Sequence, residues 1–318
     1  QTFRIRHSQN VNRFLNFGLV YDIVYNIGQY TYQKAIDKNF LLHASYNGSP
    51  YTAYFSTGIN NHESAESGGM ITEDDLGIYA PETVPFILNN LNSAKNTLNN
   101  RYVMLVQKYA PGSRRDTVTG EVTRNSPVTF SHVGILEWTK RRYLDQYPNS
   151  ELYDTVMISS SKTADSLQQR ILSNTFRIDF SAGRTDRFRI GAGAGIRSEL
   201  RTFGQIVPGD SLTRPDTVRS KMSSLVLTGK VFNNIGSKFG WSASGDLWFQ
   251  GYRAGDFIID GRIYKEFETR QKGMITWDAT GTIASYTPSF WYSTWGSNNF
   301  AWKFDQKREF RLLAGSSL

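Results

Sequence analysis

From residue 14 to residue 29 the chain switches character at almost every step. Leu15, Phe17, Leu19, Tyr21, Ile23, Tyr25 and Ile27 hold the odd positions, while Asn16, Gly18, Asp22, Asn26 and Gly28 hold even ones, with only Val20 and Val24 breaking the pattern. A period of two is the mark of a strand with one apolar and one wet face. The run is far longer than the roughly five or six residues usual in soluble domains. A tilted strand crossing a bilayer needs about 9–11 residues plus some overhang.

The pattern recurs. Phe40, Leu42, Ala44 and Tyr46 alternate with polar neighbours, Asn47-Gly48-Ser49-Pro50 reads as a hairpin turn, and Tyr51, Ala53, Phe55, Thr57 and Ile59 follow. Residues 61–100 then read as a long polar loop with room for a short helix over Ile87–Leu98. Strands resume near Tyr102–Tyr109 and Val128–Trp138, where the two series mix and the register is not readable. A second long loop is expected at 144–173, with a helical turn over Ser161–Leu172. Phe176, Ile178, Phe180 and Ala182 alternate again, and Arg184-Thr185-Asp186 turns the chain into Phe188–Ile196. Leu225–Val231, Phe239–Phe249, Phe257–Ile263, Ile275–Ile283, Phe300–Phe304 and Phe310–Leu312 complete roughly a dozen strands.

Connections that tend to alternate short and long suit an outer-membrane wall with short periplasmic turns and long extracellular loops. The expected fold is therefore all-β: one domain over 1–318, a transmembrane antiparallel up-and-down β-barrel. Its apolar series, represented by Leu19, Ile23, Phe180, Ile190, Leu227 and Trp241, should face lipid. Its polar series, with Asp22, Arg177, Asp179, Arg189, Arg197, Lys230, Asp246, Asp260, Arg262 and Asp278, should face the lumen. The outward face of a soluble sandwich would accept the same charges. Strand length, and the recurrence of Tyr25, Tyr46, Tyr51, Phe239, Trp241, Phe249 and Trp302 near strand ends, favour the membrane wall.

Composition sharpens this in three respects. Hydrophobic content is only 39%, but aromatics reach 14%, which suits a soluble β protein or a transmembrane barrel with a polar lumen and aromatic girdles. No stretch approaches 18 consecutive apolar residues, so no transmembrane helix is expected. There is no cysteine, hence no disulfide or thiolate metal site, and the net charge of +8 is spread without the basic block of a nucleic-acid arm.

Catalytic and metal-binding constellations are weak. His7, His43, His62 and His132 show no ligand spacing, and the neighbours His7-Ser8 and Ser131-His132 would point to opposite faces of a strand. Glu73-Asp74-Asp75 lacks the spaced oxygens of a defined calcium loop. Gly191-Ala-Gly-Ala-Gly195 resembles a phosphate loop but lies inside an alternating strand and opens no helix, so its glycines are expected to let the sheet bend or to leave room for an inserted loop. No enzyme activity, cofactor or metal is expected.

Several segments resemble the putative-porin family of Bacteroidota outer membranes: Arg6–Asn12, Leu91–Ala94, Gly251–Phe257, and Ser285–Phe290 leading to Ser297–Trp302. The resemblance spans most of the chain and implies an outer-membrane β-barrel with no catalytic residues to carry over. Members of that family are usually longer, and the chain closes at Gly315–Leu318 without a terminal aromatic, which points to a fragment of a larger barrel or to strands not all in register. The expected function is passive diffusion of small hydrophilic solutes. The competing reading is a non-conducting structural barrel in an assembly or secretion complex, with its lumen plugged by 61–100. Expected partners are lipopolysaccharide and phospholipid, together with other outer-membrane proteins or lipoproteins in the structural case, and no nucleic acid. Three arginines against one aspartate on the strands at 176–197 predict a mild anion preference.

Overall fold

The computed structural model describes all residues except 29–30, 72–88, 117–121, 125, 185–187, 208–215, 236–237 and 269–272. In chain order the elements are β1 (Thr2–Asn10), β2 (Leu15–Asn26), β3 (Ala35–Asn47), β4 (Tyr51–Glu66), β5 (Ala94–Tyr109), β6 (Arg114–Arg115), β7 (Val122–Arg124), β8 (Val128–Asp145), β9 (Thr163–Arg184), β10 (Phe188–Val207), β11 (Asp216–Ile235), β12 (Phe239–Gly251), β13 (Phe257–Glu268), β14 (Met274–Tyr286), α1 (Phe290–Ser293), β15 (Thr294–Gly296), β16 (Ala301–Lys303) and β17 (Glu309–Ser317). Among the described residues, thirteen of the strands form one antiparallel up-and-down sheet in the order β1-β2-β3-β4-β5-β8-β9-β10-β11-β12-β13-β14-β17. The sheet is open, with β1 and β17 at its two edges.

Antiparallel succession puts the connections 11–14, 48–50, 110–127, 185–187, 236–238 and 269–273 at one end. At the other end lie 27–34, 67–93, 146–162, 208–215, 252–256 and 287–308. All but one of the first set are short, the exception being 110–127, which carries the β6–β7 ladder.

The long loops are shorter than the sequence suggests. β4 runs to Glu66, β5 starts at Ala94, β8 runs to Asp145 and β9 starts at Thr163. The expected helix over Ile87–Leu98 is strand from Ala94 onward, its first two residues lying outside the described ones, and the helical turn over Ser161–Leu172 is strand from Thr163. Both stretches are polar on both faces, so they lose the alternation that betrays a strand while keeping a ladder partner at every step: Ala94↔Asp145 through Tyr109↔Phe130, and Thr163↔Asp145 through Phe180↔Val128.

One sheet face is apolar and exposed, the other polar. Phe176, Ile178, Phe180, Ile190, Ile196 and Leu227 expose between 44% and 58% of their surface. An apolar surface of this extent in a soluble monomer would be anomalous. The little core there is lies on the polar face, where Val226, Trp248, Phe203 and Phe290 are buried.

The polar face also repeats one local device. Gly18, Gly58, Gly191 and Gly240 each stand directly across the ladder from an aromatic ring, namely His43, Tyr102, Phe232 and Tyr264. The ring lies down over the glycine so closely that a Cβ at Gly58 would come 2.5 Å from Tyr102, and one at Gly191 2.2 Å from Phe232. Glycine here is a seat for a side chain, an arrangement known to stabilise strand glycines.

Candidate functional site: the polar face and the segment folded against it

The ladder registers place all ten predicted charged residues on one face. Lys230, for example, pairs with Gly193 and Ser244, Ser244 with Asp260, and Asp260 with Thr282. Leu19, Ile23, Phe180, Ile190, Leu227 and Trp241 lie on the opposite face, as Trp241 opposite Asn233 and Ile190 opposite Ala182 and Asn233 illustrate.

Most of the charges are neutralised locally. Asp22 accepts a hydrogen bond from Arg4, and Asp278 one from Arg262. Arg177 donates to Asp179 at 2.7 Å, and Arg197 donates to Asp246 at 3.0 Å and to Glu199 at 2.9 Å. Asp260 accepts from Thr282 Oγ1 at 2.6 Å. Arg189 donates to Ser181 Oγ at 3.1 Å, and it flanks the Phe232 ring together with Lys230, at 5.6 and 5.8 Å from the centroid. Among the described residues no carboxylate pairs with Arg189 or Lys230. The expected stripe of three arginines is therefore only partly unbalanced, because two of them are spent on Asp179, Asp246 and Glu199.

The glycines of 191–195 owe their presence to these side chains and not to an inserted loop. A Cβ at Gly193 would meet Asp179 Oδ1 at 1.9 Å, and one at Gly195 would meet Arg177 Cγ at 2.3 Å. Arg177 and Asp179 lie flat across β10.

An inserted segment does exist, and the sequence reading missed it. Phe300, Trp302 and Phe304 were expected to form a further wall strand, but Ala301–Lys303 pairs only with Thr294–Gly296 in a separate two-stranded ladder. Trp302 stacks on Trp295 with ring centroids 5.4 Å apart, so it is no girdle residue. The connection 287–308 packs on the polar face through its residues 290–299. Phe290 stacks on Phe203 of β10 at 4.5 Å, with Trp291 edge-on to both. Gly296 N–H donates to Gln205 Oε1 at 3.0 Å.

Two buried polar residues fasten this segment. Asn298 is 2% exposed. Its backbone N–H donates to Asp165 at 2.7 Å, its Oδ1 accepts from the N–H groups of Ile158 and Ser159, and its Nδ2 donates to Ser159 O and Thr163 Oγ1. It thereby stitches 287–308 to the connection 146–162. Asp256 is fully buried. It accepts from Arg253 at 2.7 Å and from Thr287 N–H and Oγ1 at 2.9 and 2.8 Å, with Arg308 at 3.5 Å. Beside it Trp248 lies under the Arg253 guanidinium, 4.0 Å from the ring centroid, and its indole N–H points to Glu199. Burial, and then the Asp256 charge, push the Tyr252 hydroxyl up from its ordinary pKa. Glu199, Arg201, Trp248, Arg253, Asp256 and Arg308 were not foreseen as a cluster. The Gly251–Phe257 and Ser297–Trp302 segments held part of the signal, as a resemblance without a geometry.

The described part of 67–93 is held at its base. Met70 bridges Asn89, and Leu91 is buried. Residues 72–88, the middle of the expected plug 61–100, lie outside the described residues; among those described, 287–308 packs on the polar face, and Gly68 and Leu91 line a recess beside its Trp295 and Phe300. The acidic run at 73–75 and the turn residues Thr185 and Asp186 likewise fall outside them. The described residues hold no group of three or more His, Cys, Asp or Glu placed for a metal.

A family model described as "Putative porin" matches residues 1–315. No curated protein matches the chain significantly.

Proposed function

The chain belongs to the putative-porin family, and from that premise we propose that its sheet is the wall of an outer-membrane β-barrel through which small hydrophilic solutes diffuse passively. The observation that supports this is the two-sidedness of the sheet, maintained from the 12 residues of β2 to the 22 of β9. A strand that crosses a bilayer needs about 9–11 residues, apolar outside and polar inside. On this reading Leu19, Ile23, Phe180, Ile190, Leu227 and Trp241 meet lipid, and the ten charged residues of the other face line the water path. The connections 67–93 and 146–162 are extracellular, and 48–50 is periplasmic. An all-β fold within a porin family points to transport or structure and away from catalysis.

The local ion pairs revise the basis for selectivity. Arg189 and Lys230, on either side of Phe232, carry a mild anion preference. It weakens in high salt, since exposed charge is screened over about 10 Å at 0.1 M. Planar-bilayer recording across a salt gradient tests both points: conductance with an anion-selective reversal potential is expected, and a cation preference removes Arg189 and Lys230 as the selectivity element.

The packing of 287–308 favours a second reading, a closed barrel that serves as a structural subunit of an outer-membrane complex. Folded, inserted protein that never conducts would establish that reading over diffusion.

A further inference from the structure

Toward the end that carries the long connections, the apolar face stops at a row of bases. One rung of the ladders joins Arg101 of β5, Trp138 of β8, Arg170 of β9, Thr202 of β10 and Lys221 of β11. The next rung outward brings Lys140 and Arg219 to the same place, with Gln168 and Gly204 between them. These five cations rim a single depression of about 730 Å³. Its floor is low because Thr202 and Gly204 lie at the centre; a Cβ added to Gly204 would find no atom nearer than 3.8 Å.

The bases are not there to satisfy one another's counter-ions. Among the described residues, no carboxylate pairs with any of the five. Arg170 lies over the Trp138 ring at 6.0 Å, and Arg101 donates to Asn99 at 3.0 Å. Glu63, an acid on the same face of β4, is engaged by Lys95 at 2.8 Å. One rung inward from the bases the register places Val103, Leu136, Leu172 and Leu200, where the exposed apolar surface begins.

We propose that this depression binds the phosphate-bearing headgroup of a membrane lipid. The adjacency of the two surfaces decides between a lipid and a soluble anion. A molecule with a phosphorylated head and acyl chains covers the basic rim and the leucine rung together, whereas free phosphate covers only the rim. Five cations without carboxylate partners around one recess would repel one another if nothing anionic sat among them. Basic residues at headgroup depth attract anionic lipid, and a tryptophan beside them is suited to the interface. The inference rests on the reading that the apolar face meets lipid.

The test reconstitutes the full chain in phosphatidylcholine nanodiscs doped with bis-phosphorylated lipid A or with its dephosphorylated form. Native mass spectrometry then counts the lipid that stays bound. The phosphorylated form should be retained selectively, and Arg101→Gln/Arg170→Gln/Lys221→Gln should reduce its retention at least about tenfold. Lys265→Gln, toward the opposite end of the same face, should change nothing. Equal retention of both lipids, equal retention by the triple variant, or displacement of the lipid by inorganic phosphate that itself stays bound would overturn the proposal. If the triple variant does not insert, the exposed pair Lys140→Gln/Lys221→Gln makes the same comparison. Wild-type protein that fails to enter the bilayer at all would instead overturn the orientation on which the inference rests.

Discussion

Asp256 and Asp278 are both carboxylates held by an arginine, but their surroundings differ. Asp256 is fully buried, and its partner Arg253 leaves only 16% of its side chain exposed. Arg262, the partner of Asp278, leaves 59% exposed. The first pair sits where 287–308 meets the turn at 252–256, and the second stands in the open on β13 and β14. A buried, multiply hydrogen-bonded ion pair is costly to break by halves, whereas an exposed one contributes little to stability. The same chemistry thus serves as a fastening at one place on the polar face and as a local field at the other.

Four substitutions sharpen or break this contrast. Asp256→Ala strands Arg253 and leaves Thr287 N–H without its acceptor, and should cost about 3–5 kcal/mol, read as a lower unfolding temperature in detergent. Loss of stability below about 1 kcal/mol would erase the distinction between the two pairs. Asn298→Ala removes the side-chain bonds to Ile158, Ser159 and Thr163 and should cost about 2–4 kcal/mol. It should also make 146–162 more susceptible to protease. Gly191→Ala, away from the fastening, sets a methyl group against Phe232 and against the Phe180 carbonyl, 2.9 Å away. Its expected cost is about 1–3 kcal/mol, measured the same way. The smallest effect belongs to Arg262→Gln, which should leave the unfolding temperature in place and move the reversal potential toward cations. A drop in stability there would show that the open pair is a fastening too.

The wall was legible in the sequence wherever its two sides meet different media. Leu15 to Ile27 reads as a strand because one side shuns water and the other seeks it. Past that region the signal fades while the strand continues: Asn60–Glu66 and Thr163–Arg170 are polar on both faces, and only their ladder partners mark them as β. The same limit explains the error over Phe300, Trp302 and Phe304. Their alternation is real, since Ala301–Lys303 is a strand, but a period of two says nothing about which sheet a strand joins. The fastening at Asp256 and Asn298 was invisible for another reason. Its members come from positions as far apart as 158 and 298, and nothing local in either stretch announces the other.

The rings seated on Gly18, Gly58, Gly191 and Gly240 carry a consequence for how the wall assembles. Sliding one strand past its neighbour by a single residue turns its apolar side inward and is rejected at once. Sliding by two residues restores the alternation everywhere, so hydrophobicity alone cannot tell the right alignment from that neighbour. A ring that has lost its glycine can. After a two-residue slip Tyr102 would stand opposite Ser56 or Asn60 in place of Gly58, and His43 opposite Asn16 or Val20 in place of Gly18; Phe232 would meet Arg189 in one direction and, in the other, Gly193, whose seat Asp179 already fills. Distributed over four different strand pairs, these seats act as alignment keys, supplying the even-numbered discrimination that a two-faced sequence lacks.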